Sequence, residues 1–208
     1  MKKFLVILLA SFLILSFTAC GGNKNPAESN PSNNQSDSNT KEPGKDSGEN
    51  AVKSPLELLT VVWNSYKDGD KFPVAGGDMS DEHMTMDAPG KFDVGDTDAL
   101  DTTLGFPAAS VEKIDDAASL VHMMNANTFT CGAFHVKNSA DIADVSTAIK
   151  DNIMQRQWMC GFPDKLVIVK VDDYIISFFG EENFVDTFKT KVTSSYASAE
   201  TICDEPIA

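Results

Sequence analysis

Residues 21–53 limit what this chain can fold into more than any other feature. The tract consists almost entirely of Asn, Ser, Pro, Gly, Glu and Lys, with scarcely an aliphatic side chain. Such a composition cannot bury enough apolar surface to offset the entropy lost on ordering. The sequence therefore predicts a disordered tether over residues 20–53, followed by a single globular domain over residues 54–208.

An apolar run precedes this tract. It starts behind two lysines, extends from Phe4 to Phe17, and leads through small residues to Cys20. The run is shorter than the about 20 residues of a transmembrane helix and is typical of a cleavable signal peptide, here residues 1–19. The triplet before Cys20, Phe17-Thr18-Ala19, resembles that of bacterial lipoprotein signals, except that Phe17 replaces the usual aliphatic residue. The resemblance implies diacylglycerol on Cys20, whereas cleavage by a general signal peptidase would leave this cysteine unmodified.

The lipid on Cys20 predicts where the domain acts. Each buried methylene contributes about 0.8 kcal/mol, so the two acyl chains of a diacylglyceryl group, palmitate for example, give stable anchoring. A flexible tether of this length has a root-mean-square reach of about 30 Å. We therefore expect a domain held at the outer, extracytoplasmic face of the cell membrane, close enough to meet an envelope protein or a small ligand there.

The charge of the domain excludes some partners. Residues 54–208 contain 26 acidic and 11 basic residues, a net charge of −15, and Arg156 is the only arginine. Nucleic acids and anionic lipid head groups are bound by clustered Lys and Arg, which this domain lacks. We predict no nucleic-acid partner, and solubility is the simplest reason for the acidity.

The periodicity of apolar residues predicts alternating helices and strands. Ser54-Pro55-Leu56-Glu57 is a capping box that begins a helix, and Asp68 to Gly95 has no sustained period. The predicted helices span residues 55–67, 98–104, from 138 or 139 to before Gly161, and 181–196; the predicted strands span 119–124, 128–137, 166–171 and 174–179. This order, strand-strand-helix twice after an N-terminal helix, predicts an α+β two-layer sandwich with helices on one face of a mainly antiparallel sheet.

The stretch from about Asp98 to Val192 is similar to a domain family of unknown function found in lipoproteins of clostridial and related Gram-positive bacteria. Four short elements carry the resemblance: Leu104-Gly105-Phe106, Met123-Met124-Asn125-Ala126, Phe134-His135-Val136-Lys137 and Asp173-Tyr174-Ile175-Ile176. The helix from Asp141 to Arg156-Gln157 and Phe188 in the last helix agree with it. The resemblance implies a lipoprotein of this strand and helix order and implies no activity.

The chain contains no familiar catalytic motif. Gly-x-Ser-x-Gly, His-Glu-x-x-His, a Walker loop and a dinucleotide fingerprint are all missing from the sequence. Cys131 and His135 share one side of a predicted strand, but about 13 Å separates them along it, too far for a nucleophile and its base. We therefore predict neither enzymatic activity nor a cofactor, and a hydrolase of envelope components ranks last among the hypotheses.

Metal binding is a more specific hypothesis than catalysis. Eight acidic residues lie between Asp78 and Asp101, a density that could bind Ca²⁺, yet no calcium-binding loop motif is present. The same segment contains soft ligands of the kind that hold Cu(I). The weak candidates are Asp78, Asp81, His83, Met84 and Met86, with Met79 beside them; a solvated acidic loop and methionines at a core edge explain the segment equally well.

Three cysteines follow the anchor. Export allows a disulfide, and Cys160 with Cys203 is the favoured pair because both lie outside the predicted element interiors, whereas Cys131 lies within a strand. Unpaired buried thiols are an equally good interpretation. The leading hypothesis is thus a membrane-anchored extracytoplasmic binding or accessory domain, with a Ca²⁺- or Cu(I)-binding lipoprotein as the alternative.

Overall fold

The computed structural model describes residues 52–159 and 161–207. The predicted signal peptide, the anchor at Cys20 and Cys160 lie outside the described residues, as does the tether up to residue 51. The helices are α1 (Pro55–Asn64), α2 (Thr97–Leu104), α3 (Ile142–Met154) and α4 (Glu182–Ser195), with short 3-10 turns before and between them. Among these described helices, none is long and apolar enough to cross a membrane.

Local chemistry sets the bounds of the helices. The hydroxyl of Ser54 accepts a hydrogen bond from the N–H of Glu57 at 3.1 Å, and Pro55 occupies the first turn of α1, as the capping box predicts. Asp96 caps α2 in the same way, and Gly105 ends it in the left-handed conformation at φ 70°. Helix α1 ends at Asn64, three residues earlier than predicted, because the chain turns at Ser65 toward a 3-10 turn.

Eight strands form one open, antiparallel sheet. Its order is β2-β1-β4-β5-β7-β6-β8, and β3 pairs with β4 off this path. The α+β class and the antiparallel sheet are therefore confirmed. The strands are β1 (Val74–Gly76), β2 (Thr85–Met86), β3 (Gly90–Phe92), β4 (Ile114–His122), β5 (Phe129–Val136), β6 (Lys165–Val171), β7 (Tyr174–Gly180) and β8 (Glu200–Pro206).

Helices cover both faces of the sheet, so the prediction of two layers with helices on one face is wrong. Side chains alternate along β6: Val167 and Val169 join a core with α1 and α4, whereas Leu166 and Ile168 join a second core with α2 and α3. A strand that buries both faces needs apolar side chains at every position. The largely apolar runs of β6 and β7, interrupted only by Lys170 and Ser177, carried this signal.

The prediction of two strand-strand-helix units after one helix also omits four strands. Strands β1, β2 and β3 lie within the segment predicted to be irregular, and β8 forms the C-terminal edge next to β6. Each of β1 to β3 has only two or three residues. In β8 only Cys203 is buried, so the strand has no apolar alternation to reveal it.

Candidate functional site

An open groove of about 340 Å³ lies at the corner of the sheet where β1, β2 and the end of β4 meet. Five of the ten residues that line it are methionines, and none is Asp, Glu, Lys or Arg. We call it the methionine groove; its residues are Ala75, Met79, Met84, Met86, Val121, His122, Met123, Met124, Asn125 and Ala126.

The five methionines of the groove are exposed to solvent. Their exposed fractions lie between 45% for Met84 and 81% for Met124. Within residues 52–159 and 161–207, nine large apolar side chains are exposed and not half-buried or buried. Five of these nine line this groove. Concentrated apolar exposure marks an interaction site, whereas single exposed residues are ordinary.

The register of the strands explains why the groove has an apolar floor. Met86 pairs with Ala75, and Ala75 pairs with Val121, so these three side chains lie in one row on one face of the sheet. Ala75 and Val121 are only 6% and 5% exposed. Helices α2 and α3 pack on β5, β6 and β7 of this face. The corner formed by β1 and β2 thus lies on the same face of the sheet as these helices, and the five methionines line the groove at this corner.

Close backbone contacts hold the corner. A Cβ on Gly76 would lie 2.0 Å from the backbone nitrogen of Gly90, so β1 and β3 approach each other as only glycines permit. Gly77 has φ 98°, and its N–H donates to the hydroxyl of buried Ser119 at 2.8 Å, while that hydroxyl donates to the Gly77 carbonyl at 3.0 Å. The indole N–H of Trp63 donates to the carbonyl of Asp87 at 2.9 Å, which ties α1 to the chain after β2.

Asp78 organises the loop between β1 and β2. Its carboxylate accepts hydrogen bonds from the N–H and hydroxyl of Ser80, the N–H of Asp93 and Nδ1 of His83, the last at 2.6 Å. Partial burial opposes ionisation, but these hydrogen bonds together hold the pKa of Asp78 well below its usual value. The hydrogen bond to Asp78 in turn raises the pKa of His83, against a smaller opposing effect of desolvation.

His122 shapes the other side of the groove. Its Nδ1 accepts hydrogen bonds from the N–H groups of Met124 and Asn125, both at 3.3 Å, and its ring stacks on Phe72 at 5.9 Å. An Nδ1 that accepts leaves the proton of the neutral ring on Nε2. His122 therefore fixes the turn that presents Met123 and Met124.

The metal candidates named from the sequence divide into three groups. Met84 and Met86 line the groove, Asp78 and His83 bind each other at the base of the loop, and Asp81 is exposed. No three His, Cys, Asp or Glu side chains converge on a metal position in the part of the chain that the structure describes. Met123 and Met124 were not among the candidates, since 37 residues separate Met86 from Met123 and only the sheet brings them together.

Among the described residues, Cys131 and His135 do not form a nucleophile and base pair. Cys131 is completely buried, and burial raises the pKa of its thiol. His135 binds Asp115 at 2.5 Å and packs on Tyr174, so the cysteine and histidine of β5 have separate partners. Cys203 is buried on β8, and burial raises the pKa of its thiol as well. Its pairing with Cys160 stays a prediction, because Cys160 lies outside the described residues.

Comparisons with protein-family models, with curated proteins and with solved structures found no match to this chain. The resemblance to the clostridial lipoprotein domains therefore stays a prediction. The geometry of the methionine groove is therefore the basis for inferring a function.

Proposed function

We propose that this chain is an extracytoplasmic binding domain, anchored to the cell membrane by lipid on Cys20, and that it binds its ligand in the methionine groove. The observation that carries the proposal is the gathering of five exposed methionines on one apolar floor. Methionine is flexible and polarisable, and it is overrepresented at surfaces that bind other molecules.

The position of the groove relative to the tether supports this function. The carbonyl of Val52, the first described residue, accepts a hydrogen bond from the hydroxyl of Tyr174 at 3.4 Å. Tyr174 pairs with His135, and His135 pairs with Asp116 near the start of β4. Val121 on the groove floor is five residues further along β4, about 17 Å away at 3.3 Å per residue. Val52 thus lies near the end of the sheet where β4 begins, and the groove opens at the end where β4 finishes.

The anchor is tested by replacing Cys20 with Ala in the full chain. We expect the protein to leave the membrane fraction or to accumulate as uncleaved precursor, because no diacylglycerol can be attached. Retention of a processed Cys20→Ala protein in the membrane would contradict the anchor. The Cys203→Ala variant is the matched control and should stay in the membrane.

The groove is tested without knowledge of the ligand by methionine oxidation. Intact cells and the purified full chain are treated with chloramine-T, and sulfoxide at each methionine is measured by mass spectrometry. A ligand in the groove should slow oxidation of Met79, Met84, Met86, Met123 and Met124 in cells relative to the purified protein. Met159 is 80% exposed and lies outside the groove, so it serves as the internal control. Equal ratios for the groove methionines and Met159 would overturn the proposal.

A further inference from the structure

We propose that the ligand of the methionine groove is a soft monovalent cation of the Cu(I) and Ag(I) class, held by methionine thioether sulfurs. This inference rests on the proposed function, which makes the groove the binding site. It narrows that function to one class of ligand chemistry.

The donors of the groove select for a soft ion. The lining includes five thioethers and no carboxylate. Ca²⁺ and Mg²⁺ require oxygen ligands, whereas thioether and thiolate sulfur select Cu(I). Asp78 and Asp87 are each adjacent in sequence to a groove methionine, but neither lines the groove. Asp78 is moreover engaged by hydrogen bonds from Ser80, His83 and Asp93.

One ring nitrogen of His122, a ligand type that would favour Zn²⁺ or Cu²⁺, is engaged by hydrogen bonds. Nδ1 of His122 accepts two backbone hydrogen bonds, and the ring lies against Phe72 and Phe184. Val74, which pairs with His122, packs in the core on the α1 and α4 side, the opposite side from Val121. The histidine thus holds Met123 and Met124 in place, and sulfur supplies the coordination.

The charge around the groove favours a cation. Asp81 and Glu82 lie on the loop that carries Met79 and Met84, and Asp87 directly follows Met86; all three are exposed. An acidic rim raises the local concentration of cations, while the neutral thioethers discriminate among them. A neutral donor set suits an ion of single charge, since little charge remains to be compensated.

The backbone places one of the ligands at a cost. Met79 has φ 64°, in the left-handed region, which is unfavourable for a residue other than glycine. The hydrogen bonds of Asp78 to Ser80 on the other side of Met79 maintain this conformation. Met79 is 52% exposed and lines the groove, so this strained turn presents its side chain to the groove and not to a core.

The first experiment observes the sulfurs directly. The full chain is labelled with ¹³C at the methionine methyl groups and kept in detergent. Ag⁺ and, under anaerobic conditions, Cu(I) are titrated into separate samples of it. We expect the methyl signals of the groove methionines to shift with saturation at one equivalent or a small whole number of equivalents. Met154, which packs against the core, and Met159 are the internal controls. Unshifted groove signals, or shifts no larger than those of Met159, would overturn the proposal.

The second experiment removes the donors and keeps the apolar surface. Met84→Leu/Met86→Leu preserves side-chain volume but deletes two sulfurs, and all cysteines stay in place. In competition with bicinchoninate, its affinity for Cu(I) should fall by about tenfold or more, equivalent to at least about 1.4 kcal/mol. The Met159→Leu control should bind as the parent chain does, and equal affinity of all three proteins would contradict the thioether site.

The two proposals fail in distinguishable ways. Protection of the groove from oxidation in cells, with no response to Ag⁺ or Cu(I), would retain the binding function and overturn the metal. Protection that persists in the Met84→Leu/Met86→Leu chain at Met79 and Met123 would identify an apolar polypeptide as the occupant, since leucine replaces methionine well in an apolar contact. Loss of protection in that variant together with loss of Cu(I) affinity supports both proposals.

Discussion

The β6–β7 hairpin pairs seven residues of each strand, whereas the β1–β2 hairpin pairs only two residues of each. All seven residues of β7 are buried, while both residues of β2 are exposed. The long hairpin is stabilised by the side chains of two cores. The short one is held by a few specific backbone contacts, and the exposed side chains of β2 are available to a ligand.

This comparison predicts that the largest loss of stability comes from the long hairpin. Phe178 is completely buried on β7, with its ring 5.0 Å from that of Phe188 on α4. Phe178→Ala should lower the free energy of unfolding by about 3–5 kcal/mol, because it removes a large buried side chain and leaves a cavity. Urea denaturation followed by circular dichroism measures this loss.

The matched control is Phe162→Ala. Phe162 is 74% exposed, so its removal should change the unfolding free energy by no more than about 0.5 kcal/mol. If the two alanine variants unfold at the same urea concentration, the β6–β7 hairpin is not the stabilising part that the comparison requires.

Ser119→Ala is expected to cause a smaller loss of stability, confined to the corner of β1 and β2. The Ser119 hydroxyl provides both hydrogen bonds to Gly77, and its loss leaves a buried N–H and carbonyl without a partner. An unsatisfied buried group costs about 1–3 kcal/mol. Hydrogen exchange measured by mass spectrometry should speed up at the corner of β1 and β2 more than in β6 and β7.

Ser177 on β7 offers an unusually close control for Ser119. Both serines pair with Gly132 on β5, from opposite sides, so they lie in one row of the sheet. Ser177 is 1% exposed, and its hydroxyl has no hydrogen-bond partner among the described residues. Ser177→Ala should therefore leave stability unchanged or raise it, and an equal loss from both substitutions would mean that the bonds to Gly77 contribute nothing.

The same contrast explains which parts of the fold could be predicted from the sequence. The apolar runs of β6 and β7 and the stripes of α3 and α4 are local patterns. Strands β6 and β7 and helix α4 lie within one residue of their predicted bounds, whereas α3 ends at Met154, six residues before the predicted end. Strands β1 to β3 depend on the approach of Gly76 to Gly90 and on the hydrogen bonds of Ser119, contacts between residues far apart in sequence. No local period reports such contacts, so this segment was predicted to be irregular.

Only part of the candidate site could be predicted from the sequence, for the same reason. The density of Met79, Met84 and Met86 in one segment indicated soft ligands. Met123 and Met124 joined them only through the pairing of β1 with β4. The hydrogen bond between Asp78 and His83, two of the weak metal candidates, could not be predicted, because it forms only when the loop folds.

The smallest effect concerns the pH response of that loop. The folded-state pKa of Asp78 lies below its ordinary value near 3.9, so ionised Asp78 stabilises the loop fully above about pH 4. This contribution decreases below that pH and is lost as the pH falls through the lower folded-state pKa. The raised pKa of His83 has the opposite effect on the pH dependence of stability. Its raised pKa stabilises the loop below about pH 6.5, and this contribution is lost as the pH rises through the folded-state value.

Asp78→Asn separates these contributions without disturbing the long hairpin. NMR titration of the His83 ring should show its pKa falling toward the ordinary value of about 6.5, because the neutral amide removes the charge that favours the imidazolium. Asp81→Asn, on the same loop, is the matched control: Asp81 makes no ion pair among the described residues and should leave the His83 titration unchanged. A His83 pKa that responds equally to both substitutions would mean that the general acidity of the loop raises it, and that Asp78 does not organise the groove through this contact.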